Sequence, residues 1–253
     1  MIIIDMNQIS LASLMMDLNM RKSNEVREDL VRHMILNSIR MYRTDFHQEF
    51  GEIVLTYDSK HYWRRDYFPN YKAGRKKGRE NDSKDWGAIF NCLNKIKSEF
   101  KENLPYKYVE VYGAEADDVI AILCKHFPDE KIMIVSGDKD FIQLQKYPNV
   151  QQYSPILKKY VNGHDPITYI KEHILKGDSG DGIPNVEPAP PSSPPPSPTT
   201  PSPPKSSAAQ QADEFVGAVP VENVTVIDAN GIADVSLPAG NDGDTIPAVS
   251  YTH

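Results

Sequence analysis

The sequence predicts an α/β fold: a mainly parallel sheet flanked by helices, then a basic arch-like excursion, a proline-rich linker and a largely disordered tail. Three observations lead there. Short apolar runs, each closing on an acid, recur as Ile2-Ile3-Ile4-Asp5, Ile53-Val54-Leu55-Thr56-Tyr57-Asp58 and Ile132-Met133-Ile134-Val135-Ser136-Gly137-Asp138, and such runs read as buried strands. Segments with helical periodicity separate them, and strand–helix alternation favours parallel strands covered on both faces. Composition then changes abruptly at residue 187.

Taken in order, the first strand is followed by a helix over about residues 24–43, with Ser23 as its cap and Val26, Leu30, Met34, Ile35 and Ile39 on its apolar face. Further helices are expected over about 85–102 and 115–127. No internal repeat is visible. Residues 1–186 carry 27 basic and 27 acidic side chains, whereas 187–253 carry Lys205 alone against eight acids. The whole net charge of −7 therefore belongs to the tail, as do 13 of the 20 prolines. The tract from Pro188 to Pro204 lacks apolar residues that could drive ordering, so 187–207 is expected to be an extended linker. Residues 208–253 read as an acidic, disordered tail whose one strand-like run is Glu222–Asp228.

Several classes are excluded. No apolar run approaches the roughly 18–20 residues of a membrane span. Met1-Ile2-Ile3-Ile4 meets Asp5 at once, unlike a secretory leader. Cys92 and Cys124 are too few for a disulfide framework or a four-cysteine zinc site, so a cytoplasmic location is expected.

Chemistry concentrates at the strand ends. Asp5, Asp58 and Asp138 close three buried strands, and in open parallel sheets ligands bind beyond the carboxyl ends. One such Asp is commonly a turn former or helix cap; three together repel unless a cation neutralises them, and all-oxygen ligation suits Mg²⁺ or Mn²⁺. Glu115-Ala116-Asp117-Asp118 opens a helix, where the dipole alone favours acids. Asp138-Lys139-Asp140 fits either a surface turn or a shared cavity. Gly177-Asp178-Ser179-Gly180-Asp181-Gly182 fits a plain loop, and it lacks the spacing of an EF-hand. His33, His47 and His61 read as surface or packing residues.

Directly after Asp58, the stretch Lys60–Arg79 holds eight basic residues and one acid, Asp66, interleaved with Tyr62, Trp63, Tyr67, Phe68 and Tyr71. Phosphate neutralisation combined with base stacking calls for this mixture. Carboxylates beside such an arm suggest metal-assisted phosphodiester hydrolysis.

These residues resemble a known family. Ile4-Asp5, Tyr57-Asp58, Tyr62-Trp63-Arg64-Arg65-Asp66, Tyr71-Lys72 with Arg75, Glu115-Ala116-Asp117-Asp118, Gly137-Asp138-Lys139-Asp140-Phe141 and Leu175-Lys176-Gly177-Asp178-Ser179-Gly180-Asp181 match, in order and spacing, the flap endonuclease/5′-nuclease superfamily, most closely its T4-type bacteriophage ribonuclease H branch. The resemblance implies a PIN-like 5′-nuclease core over 1–186, with an arch at about 60–84 and an incomplete helical DNA-binding element from about 165. It implies a Mg²⁺-dependent 5′→3′ exonuclease and flap endonuclease with two ions, Mn²⁺ being a substitute, acting on RNA primers and 5′ flaps in replication. Asp5, Asp58, Asp117 and Asp138 would surround one ion; Glu115, Asp140, Asp178 and Asp181 would build the second position. Lys72 and Arg75 would steer the scissile phosphate, Arg64, Arg65, Lys76, Lys77 and Arg79 would contact nucleic acid, and Asp118 would stand behind the ligands. The implied partners are RNA–DNA and DNA duplexes with 5′ ends or flaps, and a single-strand-binding protein or clamp, for a monomer in the host cytoplasm.

Beyond Val186 the family's C-terminal helices are replaced by the proline tract, so a C-terminally truncated nuclease joined to an unrelated tail is expected. Two rival readings stay open: a catalytically impaired fragment that only binds nucleic acid, and a PIN-type ribonuclease acting on single-stranded RNA.

Overall fold

The computed structural model describes residues 1–163 and 165–186, together with the backbone of 224–228 and 231–235. The linker expected at 187–207 lies outside the described residues, as does the tail apart from those two backbone segments.

The three apolar runs form β1 (Ile2–Asp5), β2 (Ile53–Tyr57) and β4 (Ile132–Val135), with β3 (Lys107–Glu110) and β5 (Val150–Ser154) completing a parallel set. The sheet runs β5-β4-β1-β2-β3, with the short β6 (Lys159–Tyr160) antiparallel beside β5. The strand-like run at the tail supplies β7 (Val224–Asp228), which pairs with β8 (Gly231–Val235) and lies antiparallel to β3. Chain order leaves β1 for β2 and β3 on one side and returns to β4 on the other. The order therefore reverses at β1, the kind of place where open α/β sheets bind ligands beyond the strand ends.

Side chains on a strand alternate between faces, and the core follows that rule. Ile2, Ile4, Ile53, Leu55, Met133 and Val135 pack with α1 (Met6–Arg21), α2 (Glu28–Phe50) and α5 (Trp86–Asn103). Ile3, Ile132 and Ile134 face the other way, onto Ile120 and Cys124 of α6 (Ala116–His126) and Phe141 and Leu144 of the 3₁₀ segment Lys139–Lys146. Val54 and Val109 meet Val119 of α6 on that face. Both cysteines are buried and unpaired, as their number suggested.

The expected helices at about 85–102 and 115–127 are α5 and α6. The one placed at about 24–43 is displaced toward the C-terminus as α2, and α1 was not foreseen. Ser23 does not cap α2: its Oγ accepts from the Glu25 amide (3.1 Å) within the connection, and the cap position is Arg27, which makes no side-chain cap bond. The buried stripe of α2 runs Val31, Ile35, Ile39, Tyr42, Phe46 and Phe50, so Leu30 and Met34 flank it rather than form it. The basic stretch folds into α3 (Arg64–Tyr67) and α4 (Ala73–Glu80), neither of which buries a residue. A last helix, α7 (Pro166–Lys176), stands where the helical element from about 165 was expected.

Candidate metal centre and nucleic-acid interface

Each strand-end acid accepts from a backbone amide at the start of a helix. Asp5 ends β1 and starts α1, with Oδ1 accepting from the Gln8 amide (3.1 Å) and Oδ2 from Ser136 Oγ (3.1 Å). Asp58 lies just past β2, and its Oδ1 accepts from the Ala116 amide at the start of α6 (2.8 Å). Asp138 heads the 3₁₀ segment, its Oδ1 accepting from the Asp140 amide (3.0 Å). The bland expectation of capping is thus correct for Asp5 and Asp138, whereas Asp58 reaches across to the start of a helix that Glu115 caps; in all three a backbone amide aims the carboxylate. One oxygen is pinned by backbone, and in Asp58 and Asp138 the second is left without a hydrogen bond.

Asp117, in the first turn of α6, completes the group. Burial, followed by the charges of Asp5, Asp138 and Asp58, pushes its carboxyl up to about 8, with Lys72 offsetting part of this. Burial likewise raises Asp5, only 6% exposed, to about 6, and Asp58 and Asp138 contribute. The four carboxylates therefore share one field. Among the described residues no Lys, Arg or His forms an ion pair with any of them. Carboxylates that share a field without an ion pair, in a partly buried, all-oxygen setting, have the donor chemistry of a hard divalent cation, and these residues fit one.

The remaining acids differ: each has a basic side chain beside it. Glu115, 2% exposed, accepts from Lys72 Nζ (2.7 Å), Tyr71 Oη (2.8 Å) and Arg64 Nη1 (3.2 Å). Asp181 accepts from Arg75 Nη2 (2.9 Å), and Lys72 Nζ stands 4.0 Å away. Asp140, raised by burial and by Asp138, has His173 Nε2 at 3.2 Å, and Asp178 has the same nitrogen at 3.9 Å. Among the described residues, Asp140, His173 and Asp178 form the one group of three or more acid, histidine or cysteine side chains with ligand atoms all within 4.8 Å; no three of Asp5, Asp58, Asp117 and Asp138 come so close together.

Local structure accounts for these positions. Asp178 and Ile183 exchange backbone hydrogen bonds (2.9 and 2.7 Å), closing the loop after α7, and Asp178 Oδ1 accepts from the amides of Gly180 (2.7 Å) and Asp181 (3.2 Å). Gly177 must be glycine: φ is +65°, and a Cβ would lie 2.4 Å from the Pro184 carbonyl carbon. The loop is tied to the arch by the Lys72 amide, which donates to the Asp181 carbonyl (3.0 Å). Lys72 itself adopts a left-handed backbone (φ 56°), unusual for a non-glycine residue.

The arch residues divide by surroundings. Arg64 donates from both terminal nitrogens to Asp118 (2.7 Å each), and Trp63 Nε1 supports the same carboxylate (3.3 Å). Burial works against the charge of Arg64, but the Asp118 bond overrides it and raises the guanidinium above its ordinary value. Asp118 thus stands behind the ligands as a partner of the arch; its Oδ2 also accepts from the Glu115 amide (3.0 Å). Arg65 lies over the Tyr62 ring (4.3 Å), Arg79 over Phe90 (5.5 Å), and Lys76 and Lys77 are exposed. A cavity of about 580 Å³ opens between the arch and α7, lined by Trp63, Tyr67 and Phe68 on one side and by Asp117, Asp140 and Asp181 among the acids.

His173 escaped the sequence reading. Its only local signal is its place five residues before Asp178; the partner that matters, Asp140, is 33 residues away in sequence and meets it only through the packing of α7 on the 3₁₀ segment. Tyr71 and Ser136 were likewise invisible as partners of Glu115 and Asp5.

Residues 1–174 match the family model described as the 5′-3′ exonuclease, N-terminal resolvase-like domain. Ribonuclease H of Enterobacteria phage T4 is 40% identical over 194 residues, 73% of this chain and 62% of that protein. Flap endonuclease Xni of Shewanella piezotolerans is 33% identical over 159 residues, 58% of each chain. This chain thus spans about three fifths of either relative's length. The bacteriophage T5 D15 flap endonuclease, solved with DNA and metal ions, superposes with a TM-score of 0.58 at 19% identity, over 74% of this chain and 69% of that one, a likeness of fold. Matched over most of its described core, the chain belongs to the 5′-3′ exonuclease family through its N-terminal, resolvase-like domain.

Proposed function

We propose that this chain is a divalent-metal-dependent 5′-nuclease, hydrolysing phosphodiester bonds at the 5′ ends and 5′ flaps of RNA–DNA and DNA duplexes, with Mg²⁺ as its ion and Mn²⁺ as a substitute. The observation that carries the reading is that Asp5, Asp58, Asp117 and Asp138 share one field, with no ion pair among the described residues, beside the stretch Lys60–Arg79 of net charge +7. In this reading these four hold one ion, and Glu115, Asp140, Asp178 and Asp181 hold another. Bound there, the ions would supply a water activated for attack and charge stabilisation at the departing oxygen.

The chain's own residues do the rest. Lys72 and Arg75 lie against Glu115 and Asp181, so they exchange those carboxylates for the scissile phosphate when substrate arrives. Arg65, Lys76, Lys77 and Arg79 neutralise the flanking backbone, while Tyr67 and Phe68 offer exposed faces for stacking. Arg64 acts through Asp118, orienting the first turn of α6. The setting proposed for it is primer removal at a replication fork in the host cytoplasm, by a monomer in company with a single-strand-binding protein or clamp.

The rival reading, a fragment that only binds nucleic acid, draws on the same contacts: basic side chains already sit on the second set of acids. Cleavage separates the two. A duplex with a 5′-labelled flap, the same duplex with its 5′ end blocked, and the single strand alone are offered with Mg²⁺ and with chelator. Metal-dependent cutting of the free 5′ flap in preference to the other two supports a 5′-nuclease. Preferential cutting of single-stranded RNA supports a PIN-type ribonuclease, and binding without cutting supports the fragment.

A further inference from the structure

We propose that His173 is a metal ligand, so that the position formed with Asp140 and Asp178 is a mixed nitrogen–oxygen site that binds Mn²⁺, Co²⁺ or Zn²⁺ more tightly than an all-carboxylate site would. The inference rests on the reading of Asp140 and Asp178 as ion-holding residues and adds to it a nitrogen donor and a metal preference.

Three elements deliver the three groups. Asp140 opens the 3₁₀ segment, His173 lies in the last turn of α7, and Asp178 begins the loop that Gly177 and the Asp178–Ile183 bonds close. Two donors each about 2.1 Å from a common ion lie about 3.0–3.4 Å apart. His173 Nε2 stands 3.2 Å from Asp140 Oδ1 and 3.9 Å from Asp178 Oδ2, and the two carboxylates lie within 4.8 Å of each other, so one of the three pairs already has that spacing and the others need an inward shift. The donors are presented for it. Asp178 spends Oδ1 on the Gly180 and Asp181 amides and turns Oδ2 toward the histidine. The imidazole is held flat against Tyr169 (centroids 5.8 Å apart, 14° between planes), which fixes its plane with Nε2 aimed at the acids. All three residues line the cavity that opens between the arch and α7, so an ion has a way in. Imidazole binds Mn²⁺, Co²⁺ and Zn²⁺ better than Mg²⁺ or Ca²⁺, which prefer oxygen alone. A histidine here therefore tilts selectivity, where a third carboxylate would not.

The test is Mn²⁺ binding to the full chain, followed by electron paramagnetic resonance, with pulsed measurement of ¹⁴N coupling. His173→Gln and Asp140→Asn run beside the native chain, each checked for folding by circular dichroism. The inference expects ¹⁴N modulation from bound Mn²⁺ that disappears in H173Q. It also expects about tenfold weaker Mn²⁺ binding at one position in that variant, in the range a lost metal-site interaction produces, and a much smaller change for Mg²⁺ in competition. Bound Mn²⁺ without ¹⁴N modulation in the native chain overturns it, whatever the variants do, and leaves His173 as a counter-ion between two acids. If that result comes with D140N losing an ion, the proposed second position stands without its nitrogen. If D140N loses nothing, the reading of the second position fails as well.

Discussion

Lys72 carries an unusual load for one residue. Its backbone is left-handed, its amide holds the Asp181 loop, and its ammonium meets Glu115 at 2.7 Å. A residue kept in a costly conformation at a charged cleft is best explained by what its side chain must reach. Lys72→Ala is expected to lower the single-turnover cleavage rate about a hundredfold, as losing one preorganised donor does. Substrate affinity should stay within about threefold, because one phosphate contact among many is lost. Collapse of affinity with the rate intact would reduce Lys72 to a binding residue. Arg64 makes the opposite case. Its fork on Asp118 is bidentate and mostly shielded, so Arg64→Ala should cost about 2–3 kcal/mol in urea denaturation by leaving Asp118 and Glu115 short of donors. Arg64→Lys should not restore it, since a lysine cannot reproduce the fork. Stability unchanged in the alanine variant would return Arg64 to the role of a simple phosphate contact.

At the scale of elements, what could be read from the sequence was whatever depends on short-range pattern. Ile2–Asp5, Ile53–Asp58 and Ile132–Asp138 are legible because a strand buried on both faces must be apolar throughout, and its closing acid then stands out. β3 was not legible: Lys107-Tyr108-Val109-Glu110 is a four-residue edge of the parallel set with polar ends, and its pairing with β2 supplies what its composition lacks. α1 hid for a related reason. It is capped by Asp5, which the eye assigns to a metal, and its apolar residues spill from the buried stripe to exposed Met16 and Met20. The acids were legible as residue types and their two sets through the family resemblance, but not the basic partners that set the second apart. That difference arises from the fold of the arch and of α7 over Glu115, Asp140 and Asp181, contacts that no local pattern records. The loop after α7 carries the clearest test at this scale. Gly177→Ala places a methyl against the Pro184 backbone and forces a side chain into φ +65°. It should displace Asp178 and Asp181, costing about 1–3 kcal/mol locally. Mn²⁺ titration should then find one binding position weakened and the other intact. Unchanged binding at both would mean that the loop does not position the second set of acids.

For the whole molecule, the uncompensated carboxylates tie stability to pH and metal. Asp5 and Asp117 titrate near 6 and 8 in the folded, metal-free chain against 3.8 in the unfolded one, so between those values the folded chain holds protons that the unfolded chain has released. Their contribution is therefore full below about pH 4 and is lost as pH rises to about 8, a penalty on the order of a few kcal/mol. Thermal melts in chelator should show these groups lowering stability from pH 5 to pH 8, and Mg²⁺ or Mn²⁺ at pH 8 should recover it. A chelated chain equally stable at both pH values and indifferent to metal would contradict the site. The tail bears on the fold rather than on the chemistry: β7 lies along β3, whereas every candidate site residue precedes Gly182. Deleting residues 187–253 is accordingly expected to leave cleavage nearly unchanged, and a large loss would show that the β3 edge needs its cover.

The central claim is that four strand-end and helix-start carboxylates hold a cation that cuts phosphodiester bonds. Its most direct test is single-turnover cleavage of a 5′-labelled flap duplex with Mg²⁺, with chelator, and with Asp138→Asn. The account predicts cutting that needs Mg²⁺ and falls to background in D138N while the variant stays folded and still binds the duplex. Cutting that survives chelation or the substitution, or a folded native chain that binds the duplex and never cuts it, would contradict the claim.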